Sequence, residues 1–141
     1  MKLNDNLLLL RRVLAVLYYF NQFFHVIFSI CQISLCTYKS MNFYNYEPVL
    51  VWDFVSSFIY LLLEPYRINL ALQATRMPRI ENLVYVQVLT LIAIGLHSYW
   101  LAQTYVLRID LILNTLGLLI TGGEFALCGI QTFFMISSTR Y

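Results

Sequence analysis

The chain alternates long apolar runs with short charged breaks. Between Arg12 and Lys39 lie 26 residues without a Lys, Arg, Asp or Glu, and another 26 separate Glu81 from Arg108. A bilayer core about 30 Å thick needs about 20 helical residues, so these runs predict membrane spans over 13–36 and 83–103. The segment 111–136 holds one charge, Glu124, and predicts a further span. The segment 49–66 carries Asp53 and Glu64 near its two ends; it is long enough to cross if those groups lie near the interfaces. Pro48 fits the start of that helix, where a missing N–H costs nothing. Pro65 disfavours helical geometry at Glu64, so a kink or helix end is expected there. The runs are continuously apolar instead of alternating, which argues against a β-barrel. The expected fold is an all-α integral membrane protein, a single four-transmembrane-helix bundle over 1–141.

The breaks complete the topology. Thr37–Glu47 is aromatic and polar (Tyr38, Phe43, Tyr44, Tyr46), as expected at the headgroup level. Arg67–Asn82 reads as the central loop, and Thr104–Asp110 as a tight turn that makes the last two spans an antiparallel hairpin. Four spans put both termini and the central loop on one side. That side holds Lys2, Arg11, Arg12, Arg67, Arg76, Arg79 and Arg140; the other holds Lys39 and Arg108. Basic residues favour the cytosol, so cytosolic N- and C-termini are expected.

Composition agrees with this picture. Hydrophobic residues make up 60% of the chain and charged residues 11%, against about 45–50% and about 25% in soluble domains. A soluble fold of this length has nowhere to bury that much apolar surface, so the bilayer is the first partner. No basic block suits nucleic acid. Cys31, Cys36 and Cys128 lie in apolar stretches and form neither a disulfide framework nor a metal spacing; they read as small buried hydrophobes. Lys2, Arg11 and Arg12 precede an apolar run without a small-x-small cleavage site, which reads as an uncleaved first span.

Polar groups inside the spans are the candidate chemistry. A charge at a span centre costs about 2.5–3.5 kcal/mol on insertion scales, so such groups should face protein. His25 and Glu124 each lie 12 residues from the cytosolic ends of the predicted spans, roughly 18 Å deep at 1.5 Å per residue. They would form a buried pair if the first and last spans touch. Asn21 and Gln22 lie within about a turn of that level. A second layer near the outer face gathers Gln32, Asp53, Gln103, Arg108, Asp110 and Asn114, where Arg108 is placed to bond either acid. Glu64 and Arg67, three apart, suit pairing on one helix face. Gly122, Gly123, Ala126 and Gly129 form a small-residue face suited to close helix packing.

Two readings compete for these residues. One is a proton or ion path through His25 and Glu124. The other is polar glue between helices, and it is favoured because a path usually needs more ionisable groups at midplane. His97 and Ser98 are undecided between core and function. No Ser-His-Asp set, phosphate loop or nucleophile elbow is present, and two distant His residues make a weak metal case. No enzyme activity, cofactor or small-molecule substrate is expected.

The run Gln103-Thr-Tyr-Val-Leu-Arg108-Ile-Asp110, then Asn114, then Gly122-Gly123-Glu124, resembles the hairpin of the transmembrane protein 17 family, its transmembrane protein 216 group in particular. The spacing of Asp53, Tyr60, Glu64 and Arg67 is similar to that family's second span. Arg76-Met77-Pro78 resembles its central loop, and Asn21 and Tyr38-Lys39 match its first span in spacing. Tyr38-Lys39-Ser40 is also similar to the first loop of the transmembrane protein 80 group. The resemblance spans roughly residues 14–136. Gln32 stands where the family pattern has a carboxylate and His25 where it has an Asn, so a His25–Glu124 pair would be particular to this chain. The central loop lacks the Gly that the family places before its Asn-Leu pair. The resemblance implies a four-span protein of the ciliary transition zone that assembles with tectonic and Meckel-syndrome proteins into a barrier at the cilium base. It brings no catalytic residues.

Overall fold

The computed structural model describes residues 2–43, 47–103 and 106–139. Four helices follow in order: α1 (Lys2–Asn42), α2 (Glu47–Arg76), α3 (Ile80–Leu101) and α4 (Arg108–Thr139). Each contains a stretch long and apolar enough to cross a membrane. Among the described residues there is no strand. The chain is a four-helix membrane bundle.

The helices are longer than the apolar runs that predicted them. α1 starts well before Val13, and α2 continues ten residues beyond Tyr66. The expected end at Pro65 does not occur: the proline sits inside α2. Pro65 costs one i→i−4 hydrogen bond. Ending the helix inside a bilayer would expose several backbone groups with no water to meet them, so continuing costs less. The continuation buries Ile68, Ala71 and Ala74 at three-residue spacing against α1 residues Leu14 and Tyr18. The central loop is therefore only 77–79, not Arg67–Asn82. In the predicted turn Thr104–Asp110, residues 104 and 105 lie outside the described residues, and Arg108–Asp110 form the first turn of α4. Tyr44 and Tyr46 of the first connector also lie outside the described residues.

Each helix packs on two neighbours: α1 on α2 and α4, α3 on α2 and α4. The four thus form a square in which α1 faces α3, and α2 faces α4, across the diagonals. One end carries the termini and the α2–α3 connector; the other carries the two remaining connectors. We call the second the hairpin end. Every helix turns one narrow stripe inward at spacings of three and four. In α1 it runs Leu14, Tyr18, Asn21, His25, Phe28, Gln32, Cys36, Lys39; in α4, Asp110, Asn114, Gly117, Thr121, Glu124, Cys128, Gln131. The outer faces are apolar, with Phe20, Leu62, Leu119 and Phe133 among the most exposed. This inside-out pattern is what lipid requires: polar atoms gather where other protein atoms can meet them.

Candidate functional site

The interior holds three layers. The first is an ionic cluster at mid-membrane. α3 has 22 residues, about 33 Å at 1.5 Å per residue, which matches the bilayer core. Thr90 stands ten residues from its start, so its level is the midplane. There the Arg67 guanidinium joins three helices. Nε donates to Glu64 Oε2 at 2.9 Å within α2, and Nη1 donates to Glu124 Oε2 of α4 at 2.7 Å and to Thr90 Oγ1 of α3 at 3.1 Å. Nη2 lies 2.8 Å from Glu64 Oε2. Glu64, Arg67 and Glu124 are fully buried. Only an arginine fork reaches three partners at once in this way. Asn21 of α1 stands beside Glu124 and Tyr60 beside Glu64. Neither completes a hydrogen bond, and Oε1 of both glutamates has no partner among the described residues.

The second layer is aromatic. Phe28, Tyr60, His97 and Trp100 come from α1, α2 and α3, and every pair among the four has ring centroids 4.9–5.7 Å apart. All are buried. Such edge and tilted contacts contribute about 0.5–1.5 kcal/mol per pair beyond area burial. Two polar handles fix the rings: Trp100 Nε1 donates to Ser56 Oγ at 3.1 Å, and His97 Nδ1 lies 3.1 Å from Asn114 Oδ1. His97 is thus a core residue. Ser98 is exposed and donates to the Ile94 carbonyl. Gly117 of α4 passes directly under the His97 ring.

The third layer closes the hairpin end. Lys39 of α1 and Asp110 of α4 form a buried ion pair at 2.5 Å. Asp110 Oδ2 also accepts the Leu107 N–H at 3.3 Å, which caps the start of α4. Asp53 of α2 accepts from the Gln103 amide and from the Tyr99 hydroxyl. The Asp53 carbonyl takes the Ser56 and Ser57 hydroxyls at 3.0 and 2.7 Å.

Several expectations need correcting. His25 and Glu124 do not pair, although α1 and α4 touch. The His25 ring packs on Tyr60 with centroids 5.5 Å apart, and Ser29 Oγ is 3.5 Å from its Nδ1. Glu124 instead meets Arg67 across the diagonal. Equal depth placed His25 and Glu124 at one level and both lie on the inward stripes, but Arg67 takes the Glu124 carboxylate and Asn21, one turn before His25, is the α1 residue beside it. Arg108 bonds neither acid: it is exposed, and Lys39 takes Asp110 from the inner side. Gly122 and Gly123 do not mediate close packing within the chain. A Cβ added at either would meet nothing within 4 Å, because both flank the inward stripe instead of lying on it. Arg67 is a buried helical residue instead of a loop cation. The charge tally behind the orientation falls to six against two.

Tyr99, Trp100, Thr90 and Gly117 do not stand out in the sequence, and Lys39 stands out there as an outer basic residue and a family match but not as the partner of Asp110. The stripe spacing is the signal that marks most of them. Among the described residues no group of three or more His, Cys, Asp or Glu is placed to hold a metal ion.

A family model described as "Predicted membrane protein" matches residues 16–121. The chain belongs to the transmembrane protein 17 family. The matched segment of this family member contains the whole ionic cluster except Glu124, all four core rings and the Lys39–Asp110 pair. The description names no enzymatic activity. Neither a curated protein nor a solved structure matches the chain significantly.

Proposed function

We propose that this member of the transmembrane protein 17 family is a non-catalytic structural component of the ciliary transition zone. It would assemble with tectonic and Meckel-syndrome type membrane proteins and support cilium formation and the diffusion barrier at the cilium base. Family membership carries this reading, together with the role that the hairpin pattern around Gln103, Asp110 and Asn114 implies. The interior is consistent with a scaffold. Its charged groups are engaged with one another: Arg67 with Glu64 and Glu124, Lys39 with Asp110. A conduit through His25 and Glu124 is disfavoured because those two residues occupy separate contacts.

A tagged copy in ciliated cells should concentrate at the cilium base and co-purify tectonic-type partners. Uniform plasma-membrane or reticular signal, with no such partners recovered, would overturn the assignment.

The orientation is part of the proposal. Six basic residues at the terminal end against Lys39 and Arg108 at the other favour cytosolic termini. Ser40 and Met77 are both exposed, at opposite ends of the bundle. In cells, Ser40→Cys should react with an impermeant thiol reagent applied from the non-cytosolic side, and Met77→Cys should react only after the membrane is opened. The reverse pattern would invert the topology.

A further inference from the structure

A groove opens along the seam of α1 and α4 at the hairpin end. Ser34, Leu35 and Tyr38 line one wall, and Leu107, Arg108 and Ile109 the other. Its volume is about 620 Å³, within the range of about 300–1,000 Å³ common for small-molecule sites. The Lys39–Asp110 pair ties the two helices on the bundle side, while Tyr38, Arg108 and Ile109 are exposed on the outer side. The groove therefore faces lipid and not the interior.

Two features define what fits it. Arg108 is the first residue of α4, so it stands where the span meets the headgroups. It is exposed and makes no ion pair among the described residues. Beyond the Leu107 N–H that Asp110 caps, the first N–H groups of a helix have no intrahelical acceptor and favour an anion beside them. The nearest acid, Asp110, is turned inward and occupied by Lys39. About a helical turn deeper than Tyr38, Leu35 faces the groove from α1, and Leu107 and Ile109 flank it from α4. The Ser34 hydroxyl donates to the Ile30 carbonyl, so the lining apart from Arg108 and Tyr38 is effectively apolar. An anionic group at one end and a hydrocarbon chain at the other is the layout of a phospholipid. A partner helix seated there would have to bring a carboxylate to meet Arg108.

We propose that this groove binds one phospholipid of the adjoining leaflet, its phosphate held by Arg108 beside Tyr38 and one acyl chain lying between α1 and α4. The inference needs only that the chain is embedded in a membrane and stands apart from the ciliary role. The bound lipid would fill the seam between α1 and α4.

The test uses the full chain in nanodiscs with two probes: a phosphatidylcholine carrying a diazirine in one acyl chain, and the matching diacylglycerol without phosphate. Adducts are mapped by mass spectrometry. The phosphatidylcholine should label 34–38 and 107–109 above the remaining lipid-facing surface, and the diacylglycerol should not. Arg108→Gln should reduce that labelling roughly tenfold, the order expected for losing one charge-assisted hydrogen bond. Arg108→Lys should keep part of it. Leu35→Trp, which fills the groove without touching the charge, should also abolish it. Equal labelling by the two probes, or equal labelling of wild type and Arg108→Gln, would overturn the proposal. So would a Tyr38→Cys variant that disulfide-links in native membranes to a second copy or to another protein helix.

Discussion

Arg67→Ala should cost about 3–5 kcal/mol of stability, the range for removing one partner of a buried ion pair. The substitution leaves Glu64 and Glu124 buried at mid-membrane with no cation, and it removes the one side chain among the described residues that bonds α2 to both α3 and α4 at that level. Yield of folded protein in detergent should fall sharply, and the thermal midpoint of tryptophan fluorescence should drop. Arg67→Lys should fall between the two, because a compact ammonium cannot reach Glu64, Thr90 and Glu124 together. The combined variant Glu64→Leu, Arg67→Met, Glu124→Leu should recover most of the loss, since replacing a whole buried charge network by apolar residues of similar volume is often neutral. An unchanged midpoint for Arg67→Ala would show that the guanidinium is not what joins the three helices.

The second large effect is expected at Gly117. A Cβ there would overlap the His97 ring, with Nδ1 and Nε2 each at 2.8 Å. His97 has little room to move: Asn114 holds Nδ1, and Phe28, Tyr60 and Trp100 surround the ring. Gly117→Ala should therefore destabilise by about 1–3 kcal/mol, as overpacking does in close-packed cores, and Gly117→Val by more. Gly123→Ala is the contrasting case. Its Cβ would meet nothing within 4 Å, and alanine in a helix is better than glycine by roughly 0.5–1 kcal/mol. Gly123→Ala should leave the thermal midpoint unchanged or raise it. If both variants behaved alike, the close approach of α4 to His97 would not be the reason glycine stands at 117.

The contrast between these two glycines shows how the sequence should be read. Gly122 and Gly123 drew attention because small residues cluster there. Gly117 has no glycine or alanine at four-residue spacing, yet it falls on the stripe Asp110, Asn114, Gly117, Thr121, Glu124. In a soluble helix, apolar residues mark the inward face. In lipid both faces are largely apolar, and the sparse polar residues mark it instead. Following that polar stripe at spacings of three and four picks out Gly117, Thr90 and Lys39 without any coordinates. Local enrichment in glycine does not, because it ignores which way the residues point.

Pro65 teaches a related lesson. Its local preference argues for a helix end at Glu64, and in water that preference would often prevail. Here the surrounding hydrocarbon penalises every unbonded backbone group, so α2 runs on to Arg76. Arg67 is thereby carried from an expected loop into the bundle, where it meets Glu124.

The number of spans, their order and their antiparallel sense were decided by sequence alone, because crossing about 30 Å of hydrocarbon takes a countable run of apolar residues. Depth was also legible, since each helical residue advances a fixed distance along the axis. The sequence likewise carried the family pattern. Who meets whom was decided only by the tertiary structure. Residues at equal depth on inward stripes meet side chains from three other helices, and the square order of the helices sends Glu124 across the diagonal to Arg67 and leaves His25 against Tyr60. Depth is a property of one helix counted along its axis, whereas a contact also depends on which side chains the other helices bring to that level and how far each reaches, and packing sets both.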